Sequence, residues 1–456
     1  MDSLYIYGYA PVVLLVAVGY LATILLRIGA RPKGLPPGPA TELIWGNLKQ
    51  VDMLFPQYQY TKWAKTYGRV YTVMLGDTAH VVVSGLQEVR DIFIKQGANS
   101  QARPPSRFQL LMRDGYFPGL MNGEKWRHAR KMWQTVLNGS AAKQYLPYQE
   151  LETRQLLFDL LQAPNEWRDH IERYSNSVAM TMVNSRRIVS SADARVKETI
   201  QDLYDLSETG VRGAFLDSWP FLWKIPQWFF PVCKRAREIA AKHRDLIWRN
   251  YSDVQDRTVK GAALPSFNHA IQEKLKQGWP GVSEIEGAEI GHHLLTGTTD
   301  TTASSLINWV AAMCLNPEAQ KKAQEGNISS ALYTVLQRTI TQIVQRSTGL
   351  LVLIVCPRTM TQRGCHTPDR SSKSKSRSLQ KHDYLMTSRT SYKDDLRPGF
   401  IVCLNPFSAH IAPRSPKHAQ LIRKTWMEEL EVSLDQNQQW KATPEGIARL
   451  IDRAGK

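Results

Sequence analysis

The sequence is poor in cysteine, and the few it has are scattered. Cys233, Cys314, Cys356, Cys365 and Cys403 are the only five in 456 residues, and none forms a C-x-x-C pair. That excludes a disulfide-framed secreted scaffold and fits a body kept in a reducing, cytosol-facing compartment. Acid is also short, with 41 Asp and Glu against 58 Lys and Arg and a net charge of +17. It is scarcest from Asn327 to Lys393, where Asp369 and Asp383 face 11 basic residues. The excess charge is thus gathered in one stretch rather than laid as a stripe on a nucleic-acid fold, and no nucleic-acid partner is expected.

Charge of either sign is missing from the 24 residues Ser3 to Leu26. Crossing a bilayer takes about 20 apolar residues, so this stretch predicts one transmembrane helix. A cleaved signal peptide would have a basic start and a shorter apolar run. Here Asp2 precedes the span, and Arg27, Arg31 and Lys33 follow it. Basic residues on that side place the body in the cytosol. Leu35-Pro36-Pro37-Gly38-Pro39 then ends any helix and stiffens the link to the body.

The body reads as mainly helical with a small β-sheet. Val70–Leu75 and His80–Ser84 flank Gly76-Asp77 as a hairpin. Apolar residues recur at helical spacing over Leu86–Gln96, Glu124–Leu137, Glu150–Leu161, Trp167–Ser185, Val196–Leu206 and Ala236–Tyr251. Val211–Cys233 is expected to break the pattern as an aromatic, proline-punctuated loop, and its Trp219–Phe230 cluster suits a membrane interface. The longest predicted helix runs from a Ser283 cap to Leu315, closed by Asn316-Pro317. Its middle, Thr296-Gly297-Thr298-Thr299-Asp300-Thr301-Thr302, is poor in helix formers. Threonine hydroxyls there are expected to bond carbonyls one turn back, bending the helix and leaving a groove. His292-His293 predicts no metal site, because adjacent residues on a helix face different ways.

The anchor, the Pro-Pro-Gly-Pro hinge, Trp126-Arg127-His128-Ala129-Arg130 and Gly297-Thr298-Thr299-Asp300-Thr301-Thr302 stand in one order along the chain. That order resembles the microsomal cytochromes P-450, in the style of the O-methylsterigmatocystin oxidoreductase-like group of fungal secondary-metabolism enzymes. The resemblance covers residues 1–326. It implies the fold of that family, a heme cofactor, an NADPH-cytochrome reductase as electron-donating partner, a small hydrophobic substrate and an endoplasmic reticulum membrane location. It also assigns roles. Trp126 and Arg130 hold a heme propionate, to which an indole N–H and a guanidinium both donate. Asp300 and Thr301 form an acid–alcohol pair that relays protons to bound dioxygen. The second small residue of that motif is Thr298 here, which narrows the oxygen groove.

The same family carries two later motifs, E-x-x-R and F-x-x-G-x-R-x-C-x-G, the second supplying the thiolate to iron. Neither stands in this chain. Cys365, with Arg363 two residues before it, is the nearest candidate ligand, but Thr361 and Thr367 occupy the glycine positions. In their place lies a basic, low-complexity run, Ser371–Ser378. Family-like sequence returns from Arg397 as a terminal strand and tail. The chain thus divides into an anchor with its basic flank (1–31), a hinge (32–40), a monooxygenase-like body (41–326), a replaced segment (327–395) and the tail (396–456). Two readings follow. One is a heme-dependent monooxygenase that hydroxylates a hydrophobic secondary metabolite. The other is a non-catalytic, membrane-anchored pseudoenzyme or mis-spliced product of that lineage.

Overall fold

The computed structural model describes residues 27–315 apart from 101 and 105, residues 403–455, and the short pieces 12–16, 18–20, 22–23, 320 and 396–397. The replaced segment, Cys365 and most of Ser3–Leu26 lie outside them. Val12, Val13, Leu14, Leu15 and Val16 are helical and exposed. The expected transmembrane helix is not found, for among the described residues no helix is long and apolar enough to cross a membrane. The rest is mainly α, with two small two-stranded sheets.

The described residues divide into two compact units. The smaller draws on the chain up to Ala102 and on Thr209–Lys234. It holds α1 (Pro56–Tyr67) and the hairpin β1 (Val70–Leu75) and β2 (Thr78–Val83). Leu75 pairs with Thr78, so Gly76-Asp77 is the two-residue turn that the sequence predicts. Tyr71, Val73 and Leu75 point inward and pack on Val51 and Trp63. The hinge lies along this sheet, where the Thr72 N–H donates to the Pro37 carbonyl at 3.0 Å. A Cβ at Gly38 would stand 2.0 Å from the Thr72 carbonyl oxygen, so only glycine allows that approach.

The larger unit takes Arg103–Glu208 and the described residues from Arg235 onward. Its helices are α2 (Gly123–Leu137), α3 (Leu146–Gln162) and α4 (Trp167–Asn184), then α7 (Phe267–Lys276) and α8 (Glu284–Leu315). Between these run α5 (Ala194–Ser218) and α6 (Pro231–Val259), each of which crosses from one unit to the other. The chain closes with β3 (Leu396–Arg397) paired to β4 (Cys403–Leu404), then α9 (Pro416–Val432) and α10 (Glu445–Gly455).

α8 starts where its cap predicts. Ser283 Oγ accepts from the Glu286 N–H at 3.4 Å, and the Ser283 N–H donates to Glu286 Oε2 at 2.9 Å. This reciprocal pair satisfies two donors that a helix start leaves open. α8 is buried against α4 and α7. Ile290, Leu294 and Leu295 join Met132, Met180 and Ile271 in the main core. Ile447, Ile451 and Ala454 of α10 enter the same core, so the chain beyond the replaced segment is packed into the body. Each such aliphatic side chain contributes about 1.5–3 kcal/mol by burial.

Two expectations need correction. The Val211–Cys233 break is shorter than its composition suggests, because α5 continues to Ser218 and α6 begins at Pro231. Proline is tolerated in a first helical turn, where its missing N–H costs nothing. Trp219 of that loop is core: it is buried, its Nε1 donates to the Ile44 carbonyl at 3.0 Å, and it meets Trp45 edge to face. The terminal strand pair is followed by two helices, α9 and α10.

One buried polar network ties the larger unit together. Glu152 of α3 accepts from Arg173 Nη1 of α4 and from Arg187 Nε, both at 2.6 Å, and from Ser177 Oγ at 2.7 Å. All three charged side chains are about 1% exposed. Arg187 also donates to the Gln438 carbonyl at 2.9 Å, and its own N–H to Gln439 Oε1 at 2.8 Å. Burial alone would raise the Glu152 pKa, but the Arg187 and Arg173 charges outweigh it and hold the carboxyl below its usual range. Removing one partner of such a group strands the others. Glu152→Ala should therefore lower stability by about 3–5 kcal/mol in chemical denaturation, whereas Arg449→Ala, at the exposed Glu445–Arg449 pair, should change nothing measurable. The Glu152 contribution should be fully present above the unfolded glutamate pKa of about 4.3 and vanish as pH falls below it through the lower folded value. A pH series on the wild type and Glu152→Ala checks this, since the gap between them should close in acid.

Candidate functional site

The sequence-predicted residues come from α2 and α8. Trp126 is half-buried and Arg130 exposed, one turn apart on α2. Neither side chain has a hydrogen-bond or ion-pair partner among the described residues. By the 3.6-residue period, Trp126, Arg130 and Trp133 lie along one stripe of α2, and Ile290, Gly297 and Thr301 along one stripe of α8. The two helices are joined at these positions, because Trp133 Nε1 donates to the Ile290 carbonyl at 3.0 Å. Lys125 Nζ, about two turns nearer the start of α2, bonds Glu286 Oε1 at 2.7 Å.

The threonine run behaves as its chemistry predicts, with one difference. Thr296, Thr298, Thr299 and Thr301 each donate a hydroxyl to the carbonyl four residues back, at 3.1, 2.9, 2.9 and 2.8 Å. The α-helical ladder nevertheless continues unbroken through the run. The opening beside the backbone comes from glycine instead. Gly297 is exposed in an otherwise largely buried stretch, and a Cβ built on it meets nothing within 4 Å. Thr301 Oγ1 donates to its carbonyl, so the alcohol is held at the edge of that opening. Thr298 is half-buried with its hydroxyl turned back to Leu294. Asp300 Oδ1 receives the Ser304 hydroxyl at 3.5 Å. Ser175 of α4 donates to the Thr299 carbonyl at 2.6 Å and fixes the run from behind.

These features fit a heme on two sides. Arg130 offers a guanidinium with no carboxylate partner among the described residues, and Gly297 leaves α8 backbone open, as a flat group packed there would require. Cys365, the nearest candidate for an iron ligand in the sequence, lies outside the described residues.

Sequence reasoning missed a second group. His292 and His293 do diverge, as adjacent helical residues must. His293 stacks on Trp133 and meets Phe117 edge to face, and burial pushes its imidazole down to about 3. His292 instead faces Asp202 and His243 on α5 and α6. No spacing rule links residues so far apart in the chain.

Comparison with known proteins agrees with this geometry. The cytochrome P-450 family model matches residues 36–339. The chain is 60% identical to cytochrome P-450 monooxygenase alnH of Emericella nidulans, over 97% of this chain and 96% of that protein. That match runs over 523 aligned positions, more than the 456 residues present, so it opens gaps in this chain. Cytochrome P-450 monooxygenase fogE of Aspergillus ruber is 34% identical, over 69% of this chain and only 59% of its own length. Cytochrome P-450 monooxygenase fsoB of Humicola fuscoatra is 26% identical over 95% of this chain and 97% of its own.

Two glycines of α8 should respond in opposite ways to the same change. Gly297→Ala adds a methyl in open space and a better helix former, and should raise stability by about 0.5–1 kcal/mol. A Cβ at Gly291 stands 1.8 Å from Asn268 Oδ1, a buried side chain whose Nδ2 bonds Asn184, so Gly291→Ala should destabilise. Thermal unfolding of the two variants decides. A loss of stability in Gly297→Ala would mean that the face is not open.

Proposed function

This chain belongs to the cytochrome P-450 family, whose members bind heme, and we propose that it hydroxylates a small hydrophobic secondary metabolite in a fungal pathway while anchored in the endoplasmic reticulum membrane. The near full-length likeness to a protein named as a cytochrome P-450 monooxygenase carries this reading. Heme, when bound, supplies reductive activation of dioxygen with electrons passed from NADPH by a reductase. The protein's share is binding and protons. Arg130 and Trp126 are the residues that would hold a propionate, and the bare Gly297 backbone would leave room beside α8. Asp300 takes protons from the solvent side and Thr301 Oγ1 passes them on, held in place by its bond to the Gly297 carbonyl. Cys365 is the candidate iron ligand in the sequence as it stands.

The second reading, a non-catalytic or mis-spliced product, is favoured by one observation. The family model stops at residue 339, E-x-x-R and the cysteine loop are missing beyond it, and the alnH alignment needs gaps. Sequencing the transcript across residues 320–400 separates the two. A message restoring both motifs supports the enzyme. Confirmation of the present sequence, with no thiolate band in the reduced, carbon monoxide-bound spectrum, supports the pseudoenzyme. A full thiolate band that vanishes in Cys365→Ser would instead establish a working enzyme with an unorthodox ligand loop.

In heme-loaded protein, Thr301→Ala should uncouple electron consumption from product, because the relay loses its alcohol. Arg130→Leu should lower heme retention, because a propionate loses its partner. Equal coupling and equal heme content in both variants would remove these roles.

The membrane reading rests on the uncharged Ser3–Leu26 span, its basic flank and the exposed aromatic loop. Trp228 and Phe229 are 75% and 58% exposed with rings stacked 3.8 Å apart, and Phe221 and Ile225 are exposed beside them in sequence. Deleting residues 1–31 should release the chain from membranes washed in carbonate at high pH, leaving only weak attachment through that loop. Full pelleting of the truncated chain would show that the span is not the main anchor.

A further inference from the structure

Away from the Gly297 opening, α5, α6 and α8 bring together a buried cluster that the proposed oxygen chemistry does not use. His243 Nδ1 lies 2.9 Å from both carboxylate oxygens of Asp202. His292 Nε2 lies 3.5 Å from Asp202 Oδ2. The two imidazoles meet edge to face, with centroids 5.1 Å apart. One ligand atom from each of the three residues lies within 4.8 Å of the other two. All three are at least nine-tenths buried, with exposures of 9%, 1% and 3% for Asp202, His243 and His292.

A second observation points to something bound there. Neither ring nitrogen of His292 has a hydrogen-bond partner, although both are shut off from solvent. Its Nε2 is aimed at Asp202, yet sits too far away and too poorly aligned to count as hydrogen-bonded. Glu289 Oε2, one turn back on α8, is unpaired too. Buried polar atoms left in this state are rare in folded proteins, and an absent ion is one of the few explanations for them.

We propose that Asp202, His243 and His292 bind a divalent transition-metal ion of the zinc type, through an Asp202 oxygen, His243 Nδ1 and His292 Nε2, with water in the fourth position. Two imidazoles and a carboxylate suit zinc in ligand type and number. Bonds of about 2.0–2.2 Å to a tetrahedral ion set the ligand atoms a little over 3 Å apart. Asp202 and His243 would have to part slightly from 2.9 Å, and the two imidazole nitrogens, which lie within 4.8 Å of each other, to draw together.

The surroundings match as well. A ligating histidine usually turns its other ring nitrogen to a carboxylate, which fixes the ring. His243 Nε2 faces Glu289 Oε1 at 3.5 Å. Arg113 Nη1 also sits by that nitrogen, at 3.3 Å, beyond the width of the imidazole from the proposed ion. A guanidinium only donates, so binding a metal through Nδ1 requires the His243 proton to move to Nε2 and turn to Glu289, with Arg113 giving way. The site would clasp α5 and α6 onto α8 within the larger unit.

The test uses the full-length chain in detergent, stripped with a chelator and then titrated with zinc chloride, with metal content read by mass spectrometry and affinity by calorimetry. One zinc per chain is expected. His292→Gln keeps the volume and removes the ligand, and Asp202→Asn keeps the shape and removes the charge. Each should weaken binding by at least about 100-fold, and Glu289→Gln by about 10-fold, in line with an outer-shell partner. His293→Gln, one residue on and facing elsewhere, should bind zinc as the wild type does. Circular dichroism confirms that the variants are folded. If His292→Gln does not fold, His292→Cys, which restores a zinc ligand, should bind one zinc where His292→Ser does not. No stoichiometric zinc in the wild type overturns the proposal, and so does unchanged affinity in both His292→Gln and Asp202→Asn.

Discussion

Glu152 is the point on which the larger unit turns. Two guanidinium groups and a hydroxyl converge on one carboxylate that sees almost no water. An unpaired charge there would be prohibitive, so each partner makes the others tolerable. The consequence spreads outward through Arg187. Its backbone and side chain bind Gln438 and Gln439, which follow α9. Arg154 of α3 pairs with Glu429 of α9, and Arg168 of α4 donates to the Leu404 carbonyl in β4. The chain after residue 403 is therefore held by polar contacts to α3 and α4 and by apolar contacts to α7, none of which uses residues 327–395. A body of the family type and a family-type tail can share one core across an altered intervening sequence.

How much of this was legible beforehand depends on whether a feature is local. The hairpin follows from Gly76-Asp77 between β-rich runs, and α8 from Ser283, its acids and Asn316-Pro317. The site motifs are local as well, with Trp126 and Arg130 one turn apart and Gly297 and Thr301 likewise, but their roles come from the family resemblance and not from the spacing. α1 and α7 were missed. Each is short, and α1 mixes aromatic and polar residues (Tyr58, Tyr60, Trp63) in a pattern that no single period dominates. The continuation of α5 through Val211–Ser218 was hidden because aromatic and proline composition was read as a break. Composition does not say that the prolines fall just outside the helix or in its first turn.

The Glu152 network and the Asp202–His243–His292 cluster were not legible at all. Arg187 stands 35 residues from Glu152 in the chain, and the three cluster residues come from three helices. A motif search looks for a glutamate and arginine at fixed spacing, as in E-x-x-R, and passes over a pair assembled by helix packing. The observation that His292 and His293 cannot share a ligand holds, but it says nothing of partners that other helices bring to one of them. Divergence of neighbours is what sends one of them toward other helices.

The same logic explains why α8 can be both the spine of the core and carry an opening beside its backbone. A helix buried on all sides would offer no backbone to a ligand, and one exposed on a broad face would not stay packed. Here the buried faces are made by Leu294, Leu295, Leu306 and Ile307, and the opening is a single residue without a side chain. The threonines around it satisfy their hydroxyls within the helix, so they line the opening without needing water or a distorted ladder. Ser175 then fixes the carbonyl of Thr299 from α4, the helix that also carries Arg173. The groove is thus positioned by the helix that the Glu152 carboxylate anchors, and loosening that carboxylate loosens the site without touching any residue in it.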